Sequence, residues 1–165
     1  GTTATALPAG QQIAVNAISG GTGSNSGLTL YKIIQSSYIL DSNDVSEMDR
    51  FFVYSAKELN NLLLNVDQVD NALYNDVQAL RKGRVVDFMG YEFVRTQLLP
   101  ITSNVRTCFA YQKNFLMMGL GEDQKTHIDI LPDQSHAIQV RTVLLMDATR
   151  MEEQGIVTVA CDESV

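Results

Sequence analysis

Few side chains in this sequence could do chemistry, and those few are poorly spaced for it. The two histidines, His127 and His136, stand near Asp129 and Asp133, a mixture of imidazole and carboxylate that could ligate a divalent cation. Their separations match no zinc pattern. On a strand His127 and Asp129 would share a face. Pro132 and Asp133 then break the element, so His136 could join them only through a loop that folds back; solvated loop residues are the plainer reading. A small hydrolase or transferase with a site near His127, Asp129 and His136 is kept as the alternative function.

The other candidates are weaker. Cys108 would need a neighbouring His to become a nucleophile, yet it sits between Thr107 and Phe109 in an apolar run and reads as a core thiol. Cys161 lies in a similar run, and two buried thiols in a reducing cytosol fit better than a disulfide, which stays the alternative. Gly119-Leu120-Gly121 lacks the third glycine of a dinucleotide loop and the Lys-Ser or Lys-Thr of a phosphate loop, so it is expected to be a strand-to-strand turn. Glu152 and Glu153 are adjacent, point different ways, and read as a solvated turn before Gly155. No Gly-x-Ser-x-Gly elbow occurs. No catalytic, cofactor or metal site is assigned, and the chain is not expected to be an enzyme.

Charge offers more. The 165 residues carry a formal net charge of -7, with a sequence pI near 4.7. That balance argues against a nucleic-acid grip, which depends on Lys and Arg neutralising phosphates. Arg81, Lys82 and Arg84 form a small basic cluster close in sequence to an acidic loop with Asp67 and Asp70. Opposite patches on one module suit contact between copies, so these five residues are the candidate subunit interface, with scattered surface charge as the alternative. The longest apolar stretches, Phe115 to Met118 and Val143 to Met146, are far short of the roughly 20 residues that cross a bilayer, so no membrane partner is expected. The chain begins at Gly1 with no charged segment leading into an apolar one, and no secretory signal is read there.

These residues must be positioned by an α+β arrangement, helices early and strands late. Residues 1–27 read as a strand or arm, with an apolar run at Ile13 to Ile18, followed by a flexible Gly/Ser connector. Apolar residues at Leu30, Ile33, Ile34 and Tyr38 predict a helix from Leu28 to about Asp41, with Ser26 as a possible N-cap. Phe51 to Tyr54 predicts a buried strand. Ser55-Ala56-Lys57-Glu58 has capping-box form, opening a helix that buries Leu59, Leu62 and Leu63. A second helix is expected over Asn71 to Lys82, then a hairpin of Arg84 to Phe88 with Tyr91 to Arg95 turning at Met89-Gly90. Four more strands are expected at Thr107 to Tyr111, Phe115 to Leu120, Ala137 to Met146 and Ile156 to Cys161.

Certain segments, taken in order, carry a resemblance. They are Gly27-Leu28-Thr29 opening a helix that ends Ile39-Leu40-Asp41, Asp49-Arg50-Phe51-Phe52-Val53 leading into Ser55-Ala56-Lys57-Glu58-Leu59, and Val77-Gln78-Ala79-Leu80 with Gly83. Phe88-Met89-Gly90-Tyr91-Glu92-Phe93-Val94, Ala148-Thr149-Arg150-Met151-Glu152-Glu153 and Cys161-Asp162-Glu163-Ser164 complete the set. The sequence resembles the second half of the major capsid proteins of tailed bacteriophages, those with the Hong Kong phage type of shell fold. The resemblance implies a capsid-type fold with 1–27 as arm and connector, 28–48 as spine helix and link, 49–100 as a mixed axial lobe and 101–165 as a β-rich peripheral lobe. It also implies a structural subunit of an icosahedral shell, made in the bacterial host cytoplasm and located in the virion. That subunit self-associates into pentamers and hexamers around the genome; scaffolding and portal proteins are further partners. The sequence departs from the full family pattern in lacking the amino-terminal arm and extended loop that clamp neighbouring subunits, which puts self-assembly of this chain alone in doubt. A non-viral compartment shell of the same fold is a third possibility, since fold does not fix use.

Overall fold

The computed structural model describes residues 5–64, 87–134 and 136–164. In chain order the elements are β1 (Gln12–Ile13), β2 (Ala17–Ile18), β3 (Gly21–Thr22), α1 (Leu30–Ser42), β4 (Arg50–Tyr54), α2 (Ala56–Leu64), β5 (Asp87–Phe88), β6 (Tyr91–Arg95), β7 (Ile101–Thr102), β8 (Val105–Gln112), β9 (Leu116–Leu131), β10 (Ala137–Arg150) and β11 (Ile156–Asp162). They divide into two units: Leu116–Met151, which is the β9–β10 hairpin, and the remainder. The expected helix over Asn71 to Lys82 lies outside the described residues.

The larger unit is built on a sheet ordered β1-β11-β8-β4-β6-β5, with β7 added on β8. β1 runs parallel to β11 and β4 parallel to β6; the other pairs are antiparallel. The sheet thus joins stretches on either side of position 100, since β4 pairs with β8. Strict alternation in β4 buries Arg50, Phe52 and Tyr54 on one face. There Phe52 meets Tyr91 and Phe93 at ring-centroid distances of 5.9 and 5.3 Å, and Tyr54 meets Phe93 at 5.7 Å. Leu28, Ile33 and Leu40 complete the core with Cys108, Val157, Val159 and Cys161. Both thiols are free and buried. Cys108 beside it, together with burial, pushes the Cys161 thiol well up.

Helix α1 departs from its expected apolar stripe. Ile34 and Tyr38 are exposed, and the buried face consists of Lys32, Ile33, Ser36, Ser37 and Leu40. The two serines are small enough to let the helix lie close to its neighbours, and the Ser36 hydroxyl bonds the Ile33 carbonyl and the Tyr91 hydroxyl. Thr29, not Ser26, caps the helix, its hydroxyl accepting from the Lys32 N–H. Ser26 is used elsewhere: its carbonyl accepts from the Lys32 ammonium at 2.7 Å and from the Asp162 N–H at 3.0 Å. The segment expected as a flexible connector is therefore fastened at its end to α1 and β11.

Lys32 has no exposed surface, and its ammonium shares three N–H groups among four carbonyls, those of Val15, Ser26, Gly27 and Ala160, at 2.7–3.0 Å. Burial pulls its pKa down, while Cys161 and Glu58 oppose that shift. One residue before the Thr29 cap, the Leu28 N–H donates to Glu58 Oε2 at 2.6 Å. Half of the expected capping box is present, the Ser55 hydroxyl accepting from the Glu58 N–H at 3.4 Å. The Glu58 carboxylate reaches to the other helix instead, and burial raises its pKa against that hydrogen bond. The segment before α1 runs so close to α2 that a Cβ on Gly27 would lie 2.2 Å from Asn61 Nδ2.

At the far edge β5 and β6 form the expected hairpin, with Met89 at φ 52° and Gly90 at φ 74°, the two positive angles of a type I′ turn. Gly90→Val should lower stability by about 1 kcal/mol or more, because a β-branched side chain resists positive φ; an unchanged urea midpoint would reject the strained turn. Lys32→Met should lose about 3 kcal/mol, since buried carbonyls are left without their cationic donor. Urea titration reads that loss, and a loss below about 1 kcal/mol would show the site to be hydrated rather than sealed.

Candidate subunit interface

Alternation of polar and apolar residues in β9 and β10 makes an amphipathic ribbon. The register pairs Ile130 with Ile138, Ile128 with Val140 and Thr126 with Thr142, and between these rungs Asp129 with Gln139 and His127 with Arg141. Paired residues project to the same side, so Ile128, Ile130, Ile138 and Val140 make one apolar face and His127, Asp129, Gln139 and Arg141 the opposite one. The four apolar side chains are between 63 and 72 % exposed. Toward the base, Met117, Met118, Leu120, Leu145 and Met146 are also more than half exposed. A two-stranded ribbon is at best marginally stable in water, and an apolar area of this extent marks a surface meant to be covered.

The residues singled out from sequence fall differently. Asp67, Asp70, Arg81, Lys82 and Arg84 lie outside the described residues. His127 and Asp129 do share one face of β9, opposite Arg141 and Gln139. His136 sits in the turn at φ 61°, beyond the Leu131–Ala137 pair. The hairpin register sets it five residue steps from the His127 rung, about 17 Å along the strand, so the two imidazoles do not converge. No cluster of three potential metal ligands occurs among the described residues. Cys108 is buried with Cys161 as its thiol neighbour. Gly119-Leu120-Gly121 is not a turn; it lies within β9, where Gly119 pairs with Asp147 and Leu120 with Met146.

Sequence reasoning stopped the strand at Leu120 and so missed this surface. The signal was present in Thr126, Ile128 and Ile130 alternating with Lys125, His127 and Asp129, mirrored beyond Pro132 by Ile138 and Val140. Two irregularities interrupt it. Between Val143 and Leu145, and again between Leu145 and Met146, β9 spends one residue more than β10, which breaks the period-2 pattern just where the strand would be recognised.

Solved structures share this fold. A chain from Mycobacterium phage Che8 superposes with a TM-score of 0.64 at 14 % identity, covering 81 % of this chain and 53 % of that one. A chain in the capsid of cyanophage P-SCSP1u gives 0.63 at 14 % identity, covering 78 % and 44 %. A chain of the holo-SrpI encapsulin complex from Synechococcus elongatus gives 0.60 at 9 % identity, covering 96 % and 56 %. The fold is thus a capsid-type α+β fold, and the chain spans about half the length of the structures it matches. No curated protein matches the chain. The sequence profile of the phage capsid protein family matches residues 1–163, and the chain belongs to that family. Membership of that family makes the chain part of a structural, non-enzymatic capsid protein of the virion.

Because the hairpin's apolar face contributes little to any core, Ile128→Ser combined with Ile138→Ser should change the urea midpoint by the equivalent of no more than about 0.5 kcal/mol. The same pair should reduce binding of an apolar fluorescent dye. A large loss of stability would mean that the face is already covered within the subunit.

Proposed function

We propose that this subunit assembles with copies of itself into pentamers and hexamers of an icosahedral shell that encloses the phage genome. The exposed apolar face of the β9–β10 hairpin carries the proposal: in a shell every subunit is walled by others, and that face is the surface a neighbour would cover. The sheet unit is then the subunit's body and the hairpin its contact. An axial role for 49–100 and a peripheral role for 101–165 belong to the same proposal, the two stretches sharing one sheet through β4 and β8. The opposite charges of Asp67 and Asp70 against Arg81, Lys82 and Arg84 offer a second contact between copies. Synthesis in the bacterial host cytoplasm, with scaffolding and portal proteins as further partners, belongs to the same proposal.

The net charge of -7 favours it, because walls around packaged DNA that carry little positive charge do not hold the genome back at release. A compartment shell is the second possibility, favoured by the encapsulin chain that covers 96 % of this one. Expression of the whole gene that contains this chain, followed by negative-stain electron microscopy, tests the proposal. Closed, uniform particles are expected, and in infected cells they should contain DNA. Particles filled with protein cargo would favour the compartment, and dispersed protein even with the scaffold co-expressed would count against a shell.

A further inference from the structure

The geometry points to a second site on the same hairpin: the open edge of β10 pairs, antiparallel, with β10 of a second copy about a twofold axis at Leu144. This rests on the shell reading, and adds to it one contact with a defined register.

Among the described residues each strand of the two-stranded sheet has a single partner, so each keeps one open edge of N–H and C=O groups. The two edges are unlike. β9 carries Gly119, Gly121, Glu122, Asp123, Lys125 and Asp129, and it holds the extra residues at both irregularities, so its edge is blunted by charge and by bulges. β10 runs for 14 residues without Gly, Pro, Lys or Glu and is rich in Val, Ile, Leu and Thr. Its charges are three, Arg141, Asp147 and Arg150, and it has no extra residue at either irregularity, so fewer protective devices stand on this edge than on that of β9.

Charge then selects the partner and the register. Arg141 and Asp147 stand three residues to either side of Leu144. Both are exposed, and neither belongs to an ion pair among the described residues. In an antiparallel pair of identical strands centred on Leu144, Arg141 of each copy lies opposite Asp147 of the other, and Val143 opposite Leu145. Residues 138–150 all find a partner, no like charges meet, and the centre falls at the middle of the strand. A patch that is its own complement is what a twofold contact between identical subunits requires. The product is one four-stranded sheet shared by two subunits, more stable than either ribbon alone.

The test uses a cysteine on the axis. Leu144→Cys should be joined to its own copy by a short bis-maleimide. Gln139→Cys should not, because the pairing places it opposite Thr149 of the second copy and ten residue steps, about 34 Å, from its counterpart. Cys108 and Cys161 are buried and give little background. No product at 144, or equal products at both positions, overturns the register. Independently, Arg141→Asp and Asp147→Arg should each weaken dimer formation in sedimentation velocity by about tenfold, and the double variant should restore it; a double variant no better than the singles overturns the pairing. A protein that closes into shells yet yields no Leu144→Cys product loses this edge and keeps the shell function. A cross-linked dimer from a protein that never forms shells does the reverse.

Discussion

One buried cation organises the larger unit. The Lys32 ammonium reaches out of α1 to carbonyls in the amino-terminal segment, in the turn before the helix and in β11, so three pieces of chain far apart in sequence share one donor. Apolar packing could not fix these pieces in that way, because it is non-directional and tolerates sliding. The carbonyls, by contrast, must be satisfied once the core closes over them. Loss of water around the ammonium opposes the arrangement, which is why burial pulls its pKa down. The return comes as position: α1 is held at its first turn, and the Gly/Ser stretch is converted from linker to fastened edge.

Around that point the remaining polar groups extend the same constraint. Glu58 ties the start of α2 to the start of α1 through the Leu28 N–H. Arg50 pairs with Asp41 at 2.7 Å and donates to the Ser46 carbonyl, holding the chain between α1 and β4. Arg106 and Glu163 join β8 to the end of β11, and the guanidinium holds the Glu163 carboxyl below its ordinary range.

Much of this was legible from sequence, and the boundary of legibility is physical. The β4 strand, the α2 start at Ser55 and the Met89-Gly90 turn each follow from local chemistry: alternation, a cap and a residue that accepts positive φ. The buried face of α1 was not legible, since Lys32, Ser36 and Ser37 look like a solvated stripe until tertiary partners are supplied. Glu58 misled in a similar way, its local form suggesting a bond to its own helix when a better donor lay 30 residues upstream. The hairpin was hidden for another reason: its glycines and bulges carry turn signals, and long antiparallel pairing overrides them.

The division between the two units also bears on the proposed assembly. The hydrophobic core around Ile33, Leu40, Phe52 and Val157 lies inside the larger unit. The hairpin keeps its apolar side chains at 63–72 % exposure near the tip, with a polar face directly behind them. Near the tip, where the apolar side chains lie on one face, a partner is admitted from one side only, whereas a tip apolar on both faces would aggregate in any orientation. Glu122, Asp123 and the bulges on β9 narrow the options further by discouraging strand addition along that edge. In the proposed assembly, contacts are thereby limited to those with defined geometry, which a closed shell needs and an open aggregate does not.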